Sequence, residues 1–425
     1  ISQDELEVKK IYLGLVMTYK DKSETIPVAQ DPATLEYDLT SRLIKLTRKR
    51  APVLGIADFS RSFDLSDPQN KSRFTLIKQA LQDRFEVKTI ELEGTLEIPE
   101  DVEALLLLQP MGLSEEAKYV LDQYLLGGGN VFAPAESIMI GQQMQAFPAL
   151  PGYESVFKEY GLELKKTMVL DTSCAMASFS TGMMVLQMQY PLWVRIKPAG
   201  FNSEFAPLSE LENLILPWSG YLSLAKELPQ GVNATQLVTS TKDAWAVGSP
   251  FDLNPQQDWR ASRANSSKQG TFAMAYLLSG TFPSAFADGP PKLAEDVPEE
   301  RKDLVLEKLN PTKHLSASSA PGNLLVVSNG RFLEDNYLKQ FTDNLLFIEN
   351  IADWMLENEA LIGIRSRSMT ERPFKNEPSE PVKNLIKLGL TVGMPLIVVL
   401  LGLLRWVLRL KRRQALKQRY TTGEG

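Results

Sequence analysis

The stretch ALLLLQPMGLSEEAKYVLDQYLLGGGNVFAP, residues 104–134, decides the fold. Its first five residues are an uninterrupted apolar run, short for a helix and suited to a strand buried on both faces. Ser114 then offers an N-cap hydroxyl, and Glu115 and Glu116 place negative charge at the positive end of a helix dipole. The helix predicted from there runs through Val120, Leu121, Tyr124 and Leu125 and stops at Gly127-Gly128-Gly129. A second charge-free strand, 130–134, follows at once. Buried strand, helix, buried strand is the repeating unit of a parallel sheet with helices on its faces.

The same pattern extends upstream. VLGIA (53–57) reads as a buried strand, Phe74, Ile77, Leu81 and Phe85 mark an amphipathic helix, and VKTIEL (87–92) a further strand. Before these, residues 6–19 and 24–29 read as strands around the turn 20–23, and Leu35, Leu39, Leu43 and Leu46 recur at helical spacing after Pro32. Downstream, TMVLD (167–171), VLQMQYPLWVRI (185–196), ENLILPW (212–218), TQLVTST (235–241), AWAVG (244–248) and QGTFAMAYLLSG (269–280) are strand-like. Residues 283–321, rich in Pro, Glu, Lys and Ser, read as an exposed, mobile loop. NLLVVSN (323–329) returns as a buried strand, and Leu345, Ile348, Ile351 and Met355 line a closing helix.

The expected fold is α/β: a mostly parallel sheet with helices on both faces, a β-rich middle insertion and a single C-terminal transmembrane helix. Its boundaries fall at 1–50 for the N-terminal strands and helix, 51–150 for the first half of the α/β domain, 151–322 for the middle region and 323–365 for the closing strand and helix. A linker with three prolines (366–386), a span (387–410) and a basic tail (411–425) complete the chain.

The span rests on KLGLTVGMPLIVVLLGLLRW, residues 387–406: seventeen residues from Leu388 to Leu404 carry no charge and show no polar stripe. Trp406 beside Arg405 suits an interfacial anchor. Seven cations and one anion, Glu424, follow Leu404. By the positive-inside rule the tail is cytoplasmic and the large domain extracytoplasmic, with the tail's cations also available to anionic lipids. That placement calls for an upstream signal or span. Were Ile1 the true start, the chain would instead be tail-anchored with its large domain in the cytoplasm. Gly389, Gly393 and Gly402 are small residues suited to helix packing within the span.

Before Lys387 the chain holds 38 basic and 51 acidic residues, an acidic balance that argues against nucleic acid as a partner. One cysteine, Cys174, excludes an internal disulfide and a Cys-based zinc site, and reads as a small buried group. One histidine, His314, in PTKHLSASS, reads as a solvated loop residue. No G-x-x-x-x-G-K-[ST] loop or G-x-S-x-G elbow occurs, and the triple glycine precedes a strand rather than a helix. Ser223 and Lys226 satisfy S-x-x-K without its companion motifs. No catalytic residue, cofactor or metal is expected.

Sheets of this kind present ligand crevices at the carboxyl ends of their strands. Asp58, Arg61, Glu136, Asn329 and Arg331 fall in those loops and are the candidate ligand-binding residues. They are also residue types that cap turns and helices.

Four passages carry a family resemblance: EYDLTSRLIKLTRKRAPVLGI (36–56), LLLLQPMGLSEEAKYVLDQYLLGGGNVFAP (105–134), ENLILPWSGYL (212–222), and the stretch from NLLVVSNGRF through MTERPF (323–374) with the span behind it. In this order they resemble the auxiliary component of gliding-motility-type ATP-binding-cassette transporters, the GldG-like family. Its ectodomain is similar to a flavodoxin-like domain also found in an intraflagellar transport protein. Some members carry a polar Gly/His-containing loop after the first sheet strand; here it is Asp58-Phe59-Ser60-Arg61-Ser62, without His. The resemblance implies a non-enzymatic subunit at the bacterial cytoplasmic membrane, its large domain periplasmic, beside an ABC permease and a separate cytoplasmic P-loop ATPase, with a periplasmic partner protein open. The alternative is a membrane-anchored solute- or glycan-binding domain working without a transporter.

Overall fold

The computed structural model describes residues 14–26, 52–60, 72–141, 144–150, 152–180, 185–209, 211–292 and 299–356, with helical positions scattered through 39–47 and 402–409. The chain forms two units, Ile1–Met369 and Thr370–Gly425. The first is built on a nine-stranded sheet: β1 Val53–Asp58, β2 Glu86–Thr89, β3 Ala104–Leu108, β4 Asn130–Pro134, β5 Leu162–Lys165, β6 Tyr221–Leu224, β7 Val232–Thr239, β8 Ala273–Gly280 and β9 Gly322–Val327. The order is β2-β1-β3-β4-β9-β8-β6-β5, with β7 also paired to β8. Its helices are α1 Thr75–Gln82, α2 Glu115–Leu126, α3 Glu299–Lys308, α4 Asp335–Gln340 and α5 Thr342–Met355.

From β2 to β9 every pairing is parallel. Beyond β9 each is antiparallel. The sheet is therefore mixed rather than mostly parallel. Apolar periodicity identifies a strand without encoding its direction.

Alternation along the parallel strands builds two cores. Leu54, Ile56, Leu106, Phe132, Leu325 and Val327 face Ile77 and Leu81 of α1 and Phe347 and Ile351 of α5. Val53, Leu105, Leu107, Val131, Leu324 and Val326 face Leu121 and Leu125 of α2. Ser114 caps α2 by accepting from the Ala117 amide at 3.2 Å, and Gly128, at φ +92°, ends it in a conformation that side chains disfavour. A third core, with Tyr190, Leu192, Trp218 and Trp245, lies in the insertion.

Two stretches differ from the sequence expectation. VKTIEL splits into β2 and a short helix, Leu92–Thr95, whose Leu92 is buried. Within 283–321, expected as an exposed loop, α3 forms, and Val305 and Leu309 are buried in the core beside α2. Its charge-rich composition hides these two apolar residues, four apart on one helical face.

Asn344 of α5 closes the edge of the strand Leu214–Pro217: the Ile215 amide donates to Asn344 Oδ1 at 2.9 Å, and Asn344 Nδ2 donates to the carbonyls of Ile215 and Phe332, both at 3.0 Å. We predict that Asn344→Ala lowers stability by about 2 kcal/mol, since buried backbone groups lose their partners. A urea midpoint unchanged from wild type would refute this role.

Among the described residues no helix is long and apolar enough to cross a membrane. Most of the expected span, including Gly389 and Gly393, lies outside the described residues. Gly402 is helical, with open space around its Cβ position, and Leu403, Trp406 and Leu408 are helical and exposed.

Candidate functional site

Strand order reverses direction at β1, which pairs with β2 on one side and β3 on the other. Such a reversal opens a crevice at the carboxyl ends of the two strands. Asp58 ends β1 there. Its carboxylate accepts from the Ser60 amide at 2.9 Å, from the hydroxyls of Ser60 and Ser72 at 2.6 and 2.5 Å, and from Lys78 Nζ of α1 at 2.5 Å. Burial pushes this carboxyl up, but the bonds from Lys78, Ser60 and Ser72 outweigh it and hold it below the usual range. Arg61 lies outside the described residues. At the end of β3, Gln109 adopts φ +55° with its Oε1 buried and unpaired, a local strain of about 1 kcal/mol or more held by its surroundings.

Glu136, beyond β4, and Arg331, beyond β9, are brought together because those strands are parallel neighbours. Arg331 Nε lies 3.5 Å from Glu136 Oε1, and Arg331 Nη1 lies 3.8 Å from Glu334 Oε1. Arg73 Nη1 approaches the same Glu334 oxygen at 3.7 Å. The Glu136–Arg331 contact is an ion pair without hydrogen-bond geometry, so both Glu136 oxygens and Arg331 Nε are buried without a hydrogen bond. Burial pushes the Glu136 carboxyl up to about 7; Arg331 opposes the shift and Glu334 adds to it. Burial raises Glu334 as well, against the pull of Arg331 and Arg73.

Asn329 is fully buried and joins this network to the insertion. Its Nδ2 donates to the Pro217 carbonyl at 2.5 Å and its Oδ1 accepts from the Phe332 amide at 2.8 Å. The next residue after Pro217, Trp218, is held at φ +50°, and Ser219 Oγ lies 3.0 Å from both the carbonyl and hydroxyl of Ser328. Around Trp218 stand Tyr190, Trp193 and Tyr337, in edge-to-face pairs with ring centroids 5.6–6.4 Å apart. Tyr337 belongs to α4, whose Asp335 accepts the Leu76 amide of α1 at 2.9 Å.

Of the five candidates, then, Glu136, Asn329 and Arg331 converge at one place, and Asp58 forms a separate polar cluster with α1. Sequence reasoning missed Lys78, Arg73, Glu334, Trp218 and Tyr337. The charged cluster RFLEDNY after β9 was the available signal. Cavities of about 520 and 580 Å³ contain none of the five. His314, expected in solvent, stacks on Tyr119 at 17° between planes, and Tyr119 Oη lies 3.3 Å from its Nδ1. Cys174 is buried, and burial with the nearby Asp171 pushes its thiol up to about 11. Among the described residues no group of three or more His, Cys, Asp or Glu side chains is placed to hold a metal ion.

The chain is thus a mixed α/β protein with a buried ionic network at the carboxyl ends of its parallel strands. It belongs to the auxiliary-protein family described as an ABC-type uncharacterized transport system, whose family model matches residues 53–357. It is 24% identical over 421 residues to an uncharacterized protein of Borreliella burgdorferi, covering 96% of this chain and 76% of that one. Among solved structures it is similar to the mmIFT52 N-terminal domain, at 11% identity and TM-score 0.39, with 71% of this chain and 97% of that chain covered. It is also similar to a putative ThuA-like protein from Bacteroides uniformis, at 11% identity and TM-score 0.35, with 73% and 94% covered.

Proposed function

We propose that the protein is a non-enzymatic, membrane-anchored accessory subunit of an ABC transport complex. In this reading its α/β domain stands outside the cytoplasmic membrane and docks beside a permease, which a separate cytoplasmic P-loop ATPase drives. The observation that carries the reading is the extent of the family match, which runs from the first residue of β1 to just past α5 and so takes in both sheet halves and the insertion together. The charge-free segment 388–404 and the basic tail behind it support the anchor, its orientation and contact with anionic lipids. The parallel order β2-β1-β3-β4-β9 supports the flavodoxin-like, GldG-like assignment. Asp58, Arg61, Glu136, Asn329 and Arg331 are the proposed contacts for any ligand passed between partners; the unpaired polar atoms of Glu136 and Arg331 support that role.

The test is a gentle detergent purification through a tag at residue 425, with co-eluting proteins identified by mass spectrometry. A multi-span permease and a P-loop ATPase in fixed ratio are expected. Recovery of the chain alone, under conditions that keep a known transporter intact, would overturn the accessory-subunit reading and favour an independent binding domain. Protease treatment of intact spheroplasts is expected to digest the α/β domain; digestion only after lysis would reverse the topology.

A further inference from the structure

Arg331 stands between two buried acids. Its Nε lies 3.5 Å from Glu136 Oε1 and its Nη1 3.8 Å from Glu334 Oε1. The side chains of Glu136, Glu334 and Arg331 are only 0%, 8% and 11% exposed, so solvent screens their charges weakly. Neither contact closes to a hydrogen bond: both Glu136 oxygens, Glu334 Oε1 and Arg331 Nε are left without one. A guanidinium settled on one carboxylate would hold it at about 2.7–2.9 Å, commonly through two parallel bonds. Arg331 instead stops short of both.

The two acids differ in their other neighbours. Glu334 has a second cation, Arg73 of the loop before α1, whose Nη1 lies 3.7 Å from the same oxygen. For Glu136 the ion pair is with Arg331. The remaining titratable groups facing this cluster are Asp335 and Tyr337 of α4, with Tyr190 of the insertion behind Tyr337. Asp335 is tied to the Leu76 amide at 2.9 Å, and burial pushes the Tyr337 phenol up, so it keeps its proton across neutral pH. Glu136 is therefore the group whose charge decides where Arg331 goes. Neutral Glu136 leaves Glu334 as the stronger acceptor, whereas an ionised Glu136 in the drier position attracts the guanidinium more strongly.

What Arg331 leaves on departure is the start of α4. Glu334 caps that helix, and its carbonyl accepts from the amides of Tyr337 and Leu338 at 2.9 and 3.1 Å. Tyr337 in turn packs edge-on against Trp193 and Trp218, with ring centroids 5.6 and 6.2 Å away. A proton on one side chain after β4 is thereby linked to a helix that reaches the aromatic core of the insertion.

We infer that Arg331 is a proton-controlled relay: it pairs with Glu334 while Glu136 is protonated and crosses to Glu136 when that carboxyl ionises, loosening the first turn of α4 and its hold on Trp193 and Trp218. As regulation of the ligand site proposed above, the relay rests on that reading for its purpose, but its operation requires neither ligand nor partner.

The test is hydrogen exchange of the full chain, followed by mass spectrometry from pH 5.5 to 8.5 and corrected for the intrinsic pH dependence of exchange. Amides of α4 are compared with those of α2, which packs on the other face of the sheet and reports opening of the whole domain. Protection of α4 relative to α2 is expected to fall about fivefold as pH rises, centred at about pH 7, to which burial lifts the Glu136 carboxyl. Glu136→Gln is expected to keep the high protection at every pH, because Arg331 then stays on Glu334. Glu334→Gln is expected to show the low protection at every pH. A flat ratio in the wild type would overturn the relay, as would a pH dependence that survives in Glu136→Gln. Should Glu136→Gln fail to fold, Glu334→Gln decides: an undiminished pH dependence there sinks the proposal, since no second acid competes for Arg331. None of these outcomes bears on recovery of a permease and an ATPase, so the relay and the accessory-subunit reading fail separately.

Discussion

Asp122→Ala is expected to destabilise the α/β domain by about 3–5 kcal/mol, the largest effect of a single side chain foreseen here. Asp122 lies in the middle of α2 with no exposed surface. Its Oδ1 accepts from Tyr160 Oη at 2.6 Å and from the Ala285 amide at 2.8 Å. Its Oδ2 accepts from Ser284 Oγ at 2.8 Å and Gln123 Nε2 at 2.9 Å. One carboxylate thereby joins α2 to the residue ending the helix Glu154–Glu159 and to the segment leading to α3. Alanine would leave two buried hydroxyls and a backbone amide without their acceptor beside a new void. An asparagine side chain keeps one acceptor oxygen, so Asp122→Asn is expected to cost about half as much. Guanidinium unfolding followed by circular dichroism measures both. A loss under about 1 kcal/mol for the alanine variant would mean that water replaces these bonds without penalty.

The second large effect is a pH dependence centred on Glu136. An unfolded Glu titrates near 4.3, whereas burial lifts this one to about 7 in the fold. Between those values the folded state holds a proton that the unfolded chain has released. Stability therefore falls as pH rises through the window, by a total of order 3 kcal/mol. Glu136→Gln removes the proton-linked contribution, so the drop in unfolding free energy from pH 5 to pH 8 is expected to shrink by about 2–3 kcal/mol relative to wild type. Asp58 contributes in the opposite sense. Its carboxyl lies below the usual range, so the stability it provides is lost as pH falls through the folded value, below the window being compared. Identical pH slopes for wild type and variant would show that Arg331 keeps Glu136 ionised throughout.

Much of the parallel half was legible because its residues obey one period at a time. The five apolar residues of β3, the Ser114 cap and the glycine stop after α2 each specify a local structure on their own. The same holds for the strand 185–196, whose bounds match the expected ones. Direction was not legible in β6–β8, since a buried strand reads alike whichever way its neighbour runs. The site was half legible. Position after a strand picked out Glu136, Asn329 and Arg331. Lys78 of α1 and Tyr337 of α4 reach the same end of the sheet from helices, and only tertiary packing reveals that. Asp122 gave no signal either, because an acid within an amphipathic helix ordinarily faces water.

β9 lies beside β4 in the sheet, yet Asn323 pairs with a residue 193 positions earlier, Asn130. Loop closure over such a distance carries an entropic cost that adjacent contacts do not repay until the ladder zips. The domain therefore folds as a late event in synthesis, with β4 presenting an unpaired edge until residues past 322 are available. A chain cut short anywhere in the insertion leaves that edge open, and its expected fate is aggregation rather than a smaller working domain.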